Sequence, residues 1–203
     1  MIRTLLLGLS LSLPLAGCIP LNYPEDPQWP GLQVQPGERL LHARLNGGAP
    51  VTLKLVGRNG DVETWMSQDR FSLSLDRGVL VATRGFTHDM MAGQSAETLA
   101  ALSGELSESY TRRLRYLDSN EKSFWLQTEC SVKPADETAG HSLQEICKGF
   151  ARSYDNQFRL GADRSIISSK QWISPQNGYL ELRYITHQAA ARLDKTQIAI
   201  PLP

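Results

Sequence analysis

The feature that narrows this chain most is a two-residue alternation of apolar and polar side chains, broken at intervals by turn signals, from Arg39 to Thr186. Alternation at that period puts successive side chains on opposite faces of an extended strand and does not suit a helix. Val51, Leu53 and Leu55 alternate with Thr52, Lys54 and Val56. Asn59-Gly60 follows, a hairpin signal because both residues tolerate positive φ. Residues 62–66 begin the return, and Phe71, Leu73 and Leu75 alternate with Ser72 and Ser74. Asp76-Arg77-Gly78 then turns the chain into a strand over 79–83. Residues 39–46 form a candidate strand before this meander. Later strands are expected over 107–117, 122–132, 144–152, 157–160 and 165–173, and over 179–186 after a turn at Asn177-Gly178. One stretch reads as a helix, with Ser95 as its cap, Glu97 in the first turn and Gly104 as its stop. The expected fold class is all-β and mainly antiparallel, a curved sheet or open β-barrel with one short helix, spanning 38–203. The tail over 187–203 fits either a helix beginning at Ala189 or an edge strand from Ile198.

The opening segment, MIRTLLLGLSLSLPLAGC, places Arg3 before an apolar run over 5–15. The run is too short to span a bilayer comfortably, so 1–17 reads as a secretory signal. It ends on Leu15-Ala16-Gly17-Cys18, which resembles a bacterial lipobox. In such a box the Cys18 thiol receives a diacylglyceryl group and the freed amine a further acyl chain. Each buried methylene contributes about 0.8 kcal/mol, so several chains make a stable anchor. Ile19, rather than Asp, follows Cys18, which implies delivery to the outer membrane in bacteria of the enteric type. The expected location is therefore the periplasmic face of that membrane. Five prolines between residues 19 and 37 mark 18–37 as a semi-rigid tether.

With Cys18 lipidated, Cys130 and Cys147 remain. In an oxidising periplasm their default state is a disulfide, and a loop of that size stabilises by about 3 kcal/mol in the chain-entropy model. The rival is a metal site with His141, but it lacks any CxxC or HxxxH spacing. No metal and no cofactor are expected.

Lys plus Arg number 21 and Asp plus Glu number 21, so the chain has no basic surplus with which to bind a phosphate backbone. Nucleic acid is excluded as a partner. No GxSxG elbow, P-loop, GxGxxG or HExxH pattern is present. Ser119-Asn120-Glu121-Lys122 matches SxxK only formally, in a polar turn. Residues 118–123 begin like a calcium loop and fail at Lys122 and Ser123. His88-Asp89 suggests an acid–base pair, yet neighbours on an extended chain point to opposite faces. The run Arg112-Arg113-Leu114-Arg115 either contacts an acidic glycan or is a solvated strand face with Leu114 turned inward. Trp65, Trp125, Trp172, Tyr110, Tyr116, Tyr179 and Tyr184 are candidates for stacking on sugars, with the core expected to claim most of them.

Two stretches carry a resemblance. Residues 64–69 contain Trp65, Ser67 and Asp69 in a W-x-S-x-D element. Residues 73–86 continue through a strand and the Gly78 turn to Thr83-Arg84-Gly85-Phe86, a T-x-G-hydrophobe ending. Together they resemble the YjbF/GfcB lipoproteins, the group-four capsule polysaccharide family, and the hairpin over 168–184 is similar to that family's C-terminal one. The resemblance implies an outer-membrane lipoprotein, not an enzyme, that serves as an accessory in exopolysaccharide or capsule production or export. The implied partners are the outer membrane through the lipid, polysaccharide export or secretion proteins, and polysaccharide itself as a candidate ligand. The motif residues have physical roles of their own: Trp65 to plug a sheet or barrel, Ser67 and Asp69 to bond turn amides, and Gly78 and Gly85 to supply turn dihedrals. Two other functions are weighed. A periplasmic carrier of lipid or lipoprotein needs a continuous apolar cavity under the helix. A glycan hydrolase needs two carboxylates facing across a cleft, from among Asp69, Glu105, Glu129 and Asp155.

Overall fold

The computed structural model describes residues 38–135, 141–150 and 152–186. The signal, Cys18, the tether and the tail over 187–203 lie outside the described residues. The chain forms one twelve-stranded antiparallel sheet rolled into a nearly closed barrel. The first five strands are β1 (Arg39–Leu45), β2 (Val51–Asn59), β3 (Val62–Ser67), β4 (Ser72–Asp76) and β5 (Val79–Arg84). A two-residue β6 (Ala92–Gly93) and helix α1 (Ala96–Ser103) follow. The second half is β7 (Tyr110–Leu117), β8 (Ser123–Pro134), β9 (Ser142–Lys148), β10 (Ser153–Leu160), β11 (Ile166–Ser174) and β12 (Gly178–Thr186). Strand β1 pairs with both β2 and β12, which joins the two meanders into the order 5-4-3-2-1-12-11-10-9-8-7-6.

Alternation builds the wall. Inward positions bury Leu41, Leu53, Trp65, Leu73, Leu114, Tyr116 and Leu180 in one core. Outward positions carry charge: Lys170 lies opposite Glu181, and Glu181 opposite Arg44, whose Nε donates to it at 2.9 Å. A barrel that crosses lipid needs an apolar outward band, and this row is the reverse.

The seam between β5 and β6 is joined differently. Among the described residues only the Thr83 amide reaches across in ladder fashion, donating to the Met90 carbonyl at 2.9 Å. Elsewhere side chains serve the β5 backbone. The Leu80 amide donates to Gln171 Oε1 at 2.8 Å, and Gln171 Nε2 donates to the Gly78 carbonyl at 2.9 Å. A buried amide group from β11 thus satisfies edge groups that would otherwise be orphaned.

Antiparallel connectivity sorts the loops to two ends. The helix end holds Arg39, the β2–β3 and β4–β5 turns, α1, the β10–β11 turn and Thr186. The far end holds the β3–β4, β7–β8, β9–β10 and β11–β12 turns and the 84–91 loop.

Four local expectations shift. Asn59 pairs with Val62, so the turn residues are Gly60 and Asp61, with φ of 59° at Gly60 as a type II′ turn requires at its first position. At the next turn Asp76 pairs with Val79, and Arg77 and Gly78 both take positive φ, the type I′ pattern. The strand expected over 144–152 stops at Lys148, and β10 starts four residues earlier than expected, at Ser153. Ser95 precedes α1 without capping it, because its Oγ donates instead to Asp76 Oδ2 at 2.6 Å. Gly104 ends the helix as expected, with φ of 82°.

Candidate functional site

The strongest electrostatic feature is sealed inside the barrel. Glu145 on β9 is 0% exposed and Arg112 on β7 is 3% exposed, and they form an ion pair. Glu145 Oε1 also accepts from Tyr110 Oη at 2.5 Å and Thr98 Oγ1 at 2.7 Å, and Oε2 accepts from Asn156 Nδ2 at 2.5 Å. Thr98 belongs to α1, so the carboxylate fixes the helix to the wall. Burial alone would raise the Glu145 carboxyl, but Arg112 and the three hydrogen bonds outweigh it and hold the group below the usual carboxylate range. Burial raises the Tyr110 hydroxyl, and the adjacent Glu145 charge adds to that. Arg112 was expected on a solvated face with Leu114 alone turned inward. Positions 112 and 114 share one face, so both point inward, while Arg113 and Arg115 face out.

Beside this centre lies the disulfide. Cys130 and Cys147 are direct cross-strand partners on β8 and β9, bonded through their sulfurs. Glu145 offers an oxygen within 4.8 Å of both sulfurs. With the sulfurs bonded to each other no thiolate is left to hold a metal. His141 sits exposed in the turn before β9.

A groove of about 870 Å³ opens at the helix end. Leu99, Leu102, Leu160 and Ile166 contribute its apolar lining, and Arg39, Arg58, Arg77 and Arg164 its basic one. Its four arginines already have partners. Glu63 receives Arg39 at 2.9 Å and Arg58 at 2.7 Å, Arg77 reaches Asp76 at 3.2 Å, and Arg164 donates to the α1 carbonyls of Leu102 and Ser103. The Arg39 guanidinium also lies 5.5 Å from the Trp65 ring centroid and 5.0 Å from that of Tyr184. Burial, with Glu63 nearby, pushes the Tyr184 hydroxyl up to about 12. Directly beneath α1 the chain places Tyr110 and Glu145, bonded to Thr98 of the helix, a polar cluster where a carrier would need apolar space.

The motif residues divide between the core and the turns. Trp65 is 0% exposed on β3, edge-to-face with Tyr184. Ser67 is buried at the end of β3 and serves the turn through its backbone, with Oγ unpartnered among the described residues. Asp69 is exposed in the β3–β4 turn. Gly78 has φ of 93°, and a Cβ there would lie 2.8 Å from Ile166 Cβ. Thr83 and Gly85 belong to one clamp. Asp89 accepts from Thr83 Oγ1 at 2.9 Å and from the amides of Gly85 at 2.9 Å and Phe86 at 3.1 Å, and Thr83 Oγ1 accepts from the Met90 amide. The T-x-G ending therefore closes the 84–91 loop. His88 does not join Asp89 as an acid–base pair; its ring stacks on Tyr116 with centroids 5.1 Å apart. Of the four carboxylates weighed for hydrolysis, Asp69 is at the far end, Glu105 follows α1 at the helix end, and Glu129 and Asp155 are outward on β8 and β10. Of the seven aromatic candidates only Trp125 is strongly exposed.

Residues 32–185 match the protein family described as group 4 capsule polysaccharide lipoprotein gfcB, YjbF. The hypothetical lipoprotein YmcC from Escherichia coli (K12) has a similar crystal structure, with a TM-score of 0.59 and 19% identity, over 73% of this chain and 84% of that one. At that identity the likeness is one of fold. No curated protein matches the sequence significantly.

Proposed function

This chain belongs to the group 4 capsule polysaccharide lipoprotein family, and we propose that it acts as a lipid-anchored, non-enzymatic accessory in exopolysaccharide or capsule production or export, on the periplasmic face of the outer membrane. The family match carries the reading, because it spans the described barrel from β1 to all but the last residue of β12. The chemistry of the barrel supports it. Glu145, whose carboxyl is held below its usual range, is enclosed and bonded on both oxygens, out of reach of a glycosidic bond. Of the carboxylates that line the groove, Glu63 is held by two arginines, Asp61 lies 3.8 Å from Arg77 and Asp163 accepts from Ser165 Oγ, so only Glu105 is left without such a partner among the described residues. Glycoside hydrolysis uses two free carboxyls facing each other.

In this reading the acyl chains on Cys18 confine the barrel to two dimensions and raise its effective concentration near export proteins in the same membrane. Fully extended, residues 18–37 span no more than about 70 Å. Two measurements test the proposal. Deletion of the gene under inducing conditions is expected to lower extracellular polysaccharide; unchanged polysaccharide would refute the role. Cys18→Ser is expected to release the protein to the soluble periplasmic fraction, and membrane retention equal to that of the parent would refute the anchor.

A further inference from the structure

We propose that the outward face of the β7–β8 hairpin is a binding platform for an acidic polysaccharide strand, an inference that rests on the accessory role above and gives it a ligand class. Trp125 is 45% exposed on a wall whose other outward positions are mostly polar. Arg115 is its direct cross-strand partner, with the guanidinium 5.9 Å from the ring centroid. Arg113 lies one inward residue away on the same face, opposite Gln127. The Cα atoms of the two residues are therefore about 7 Å apart along the strand. Neither has a carboxylate within ion-pair distance among the described residues; Arg115 donates only to Ser123 Oγ.

Two acids of the same hairpin, Asp118 and Glu129, have hydrogen-bond partners of their own. Asp118 accepts from the amides of Asn120 and Lys122 in its own turn, and Glu129 accepts from Ser109 Oγ. The Met91 amide donates to the Arg115 carbonyl, and Met91 is exposed beside the β7 edge of the hairpin. The exposed Phe150 stands in the β9–β10 turn, which runs against the Gln127 carbonyl. An exposed ring flanked by uncompensated guanidiniums and an amide suits a polymer with apolar sugar faces and regularly spaced carboxylates. The platform is at the far end of the barrel, remote from Arg39, where the described chain begins.

The test uses the full lipidated chain in detergent micelles. Oligogalacturonate, a polyuronate, is titrated calorimetrically against the parent, Trp125→Ala and Arg113→Ser/Arg115→Ser, with dextran as the uncharged control. Circular dichroism checks that each variant is folded. The polyuronate is expected to bind and dextran not to. Each variant is expected to weaken binding about tenfold, and the arginine variant to lose most of the salt dependence. Absence of polyuronate binding, equal binding of dextran, or affinities unmoved by the substitutions would overturn the proposal. So would variants that lose an export-protein partner while keeping polyuronate affinity, because the face would then be a protein interface. The result is separable from the deletion experiment. A strain carrying the three substitutions that exports normally, where the deletion strain does not, removes the platform and leaves the accessory role standing.

Discussion

Arg112 and Glu145 meet inside the barrel from strands that are not neighbours, with β8 and its disulfide between them. An ion pair in such a place is a poor source of net stability, because desolvation of both groups offsets their attraction. Breaking it is another matter. Glu145→Gln leaves the Arg112 charge buried and is expected to cost about 3–5 kcal/mol. Replacing both residues with apolar ones of similar volume is expected to recover much of that loss, since no charge is then stranded. Urea unfolding of Glu145→Gln and of the double apolar variant checks this, and a double variant no more stable than Glu145→Gln would contradict it.

The same carboxylate sets an acid limit. Its folded pKa lies below the ordinary value of about 4.5, so the folded state favours the ionised form. The stability it supplies is fully present above the unfolded value and is lost as the pH falls through the lower, folded one. Urea midpoints measured from pH 7 down to pH 3 are expected to drop in the parent chain below about pH 4.5. In Glu145→Gln that component of the drop is expected to be absent, leaving only the contribution of other carboxylates.

The disulfide joins residues 17 apart on adjacent strands. Its removal frees the connection over 131–146 in the unfolded chain and is expected to cost about 3 kcal/mol in the chain-entropy account. Cys130→Ser/Cys147→Ser, compared with the parent under non-reducing conditions, measures it. Both sulfurs are almost fully buried, so mild reductant alone is expected to act slowly on the folded protein.

Much of the fold was legible because burial here follows strand parity. Leu73 with Leu75, and Leu180 with Leu182, alternate with polar neighbours, and these leucines are buried. The short helix showed through its acidic first turn and Gly104 stop. Two things were not legible. The break after Lys148 turns on Gly149, which packs against Gln127 and Arg152 carbonyls, a contact that no local pattern announces. The polar centre was hidden because charge normally marks the solvent face, and Arg112 is sheltered only through Glu145, 33 residues away. Parity did hold the clue: with Leu114 inward, Arg112 had to follow. Trp125 stood out as an aromatic, but only the folded wall separates it from the six aromatics that are mostly buried.

Two turn glycines should separate backbone strain from crowding. Gly60 and Gly78 both take positive φ, 59° and 93°. A Cβ at Gly60 meets nothing within 4 Å, so Gly60→Ala carries only the left-handed penalty, about 1–2 kcal/mol. At Gly78 the added Cβ would also lie 2.8 Å from Ile166 Cβ and 3.1 Å from its Cγ2 and Cδ1. Ile166 packs with Val79, Leu102 and Phe158, so moving it away from an added methyl would disturb those contacts. The Gly78 carbonyl also accepts from Gln171 at the seam, so a shift of the turn disturbs the closure of the barrel. Gly78→Ala is therefore expected to exceed Gly60→Ala in cost by at least about 1 kcal/mol. Equal losses in parallel unfolding curves would mean that the turn accommodates the methyl and that the contact with Ile166 is not what requires glycine there.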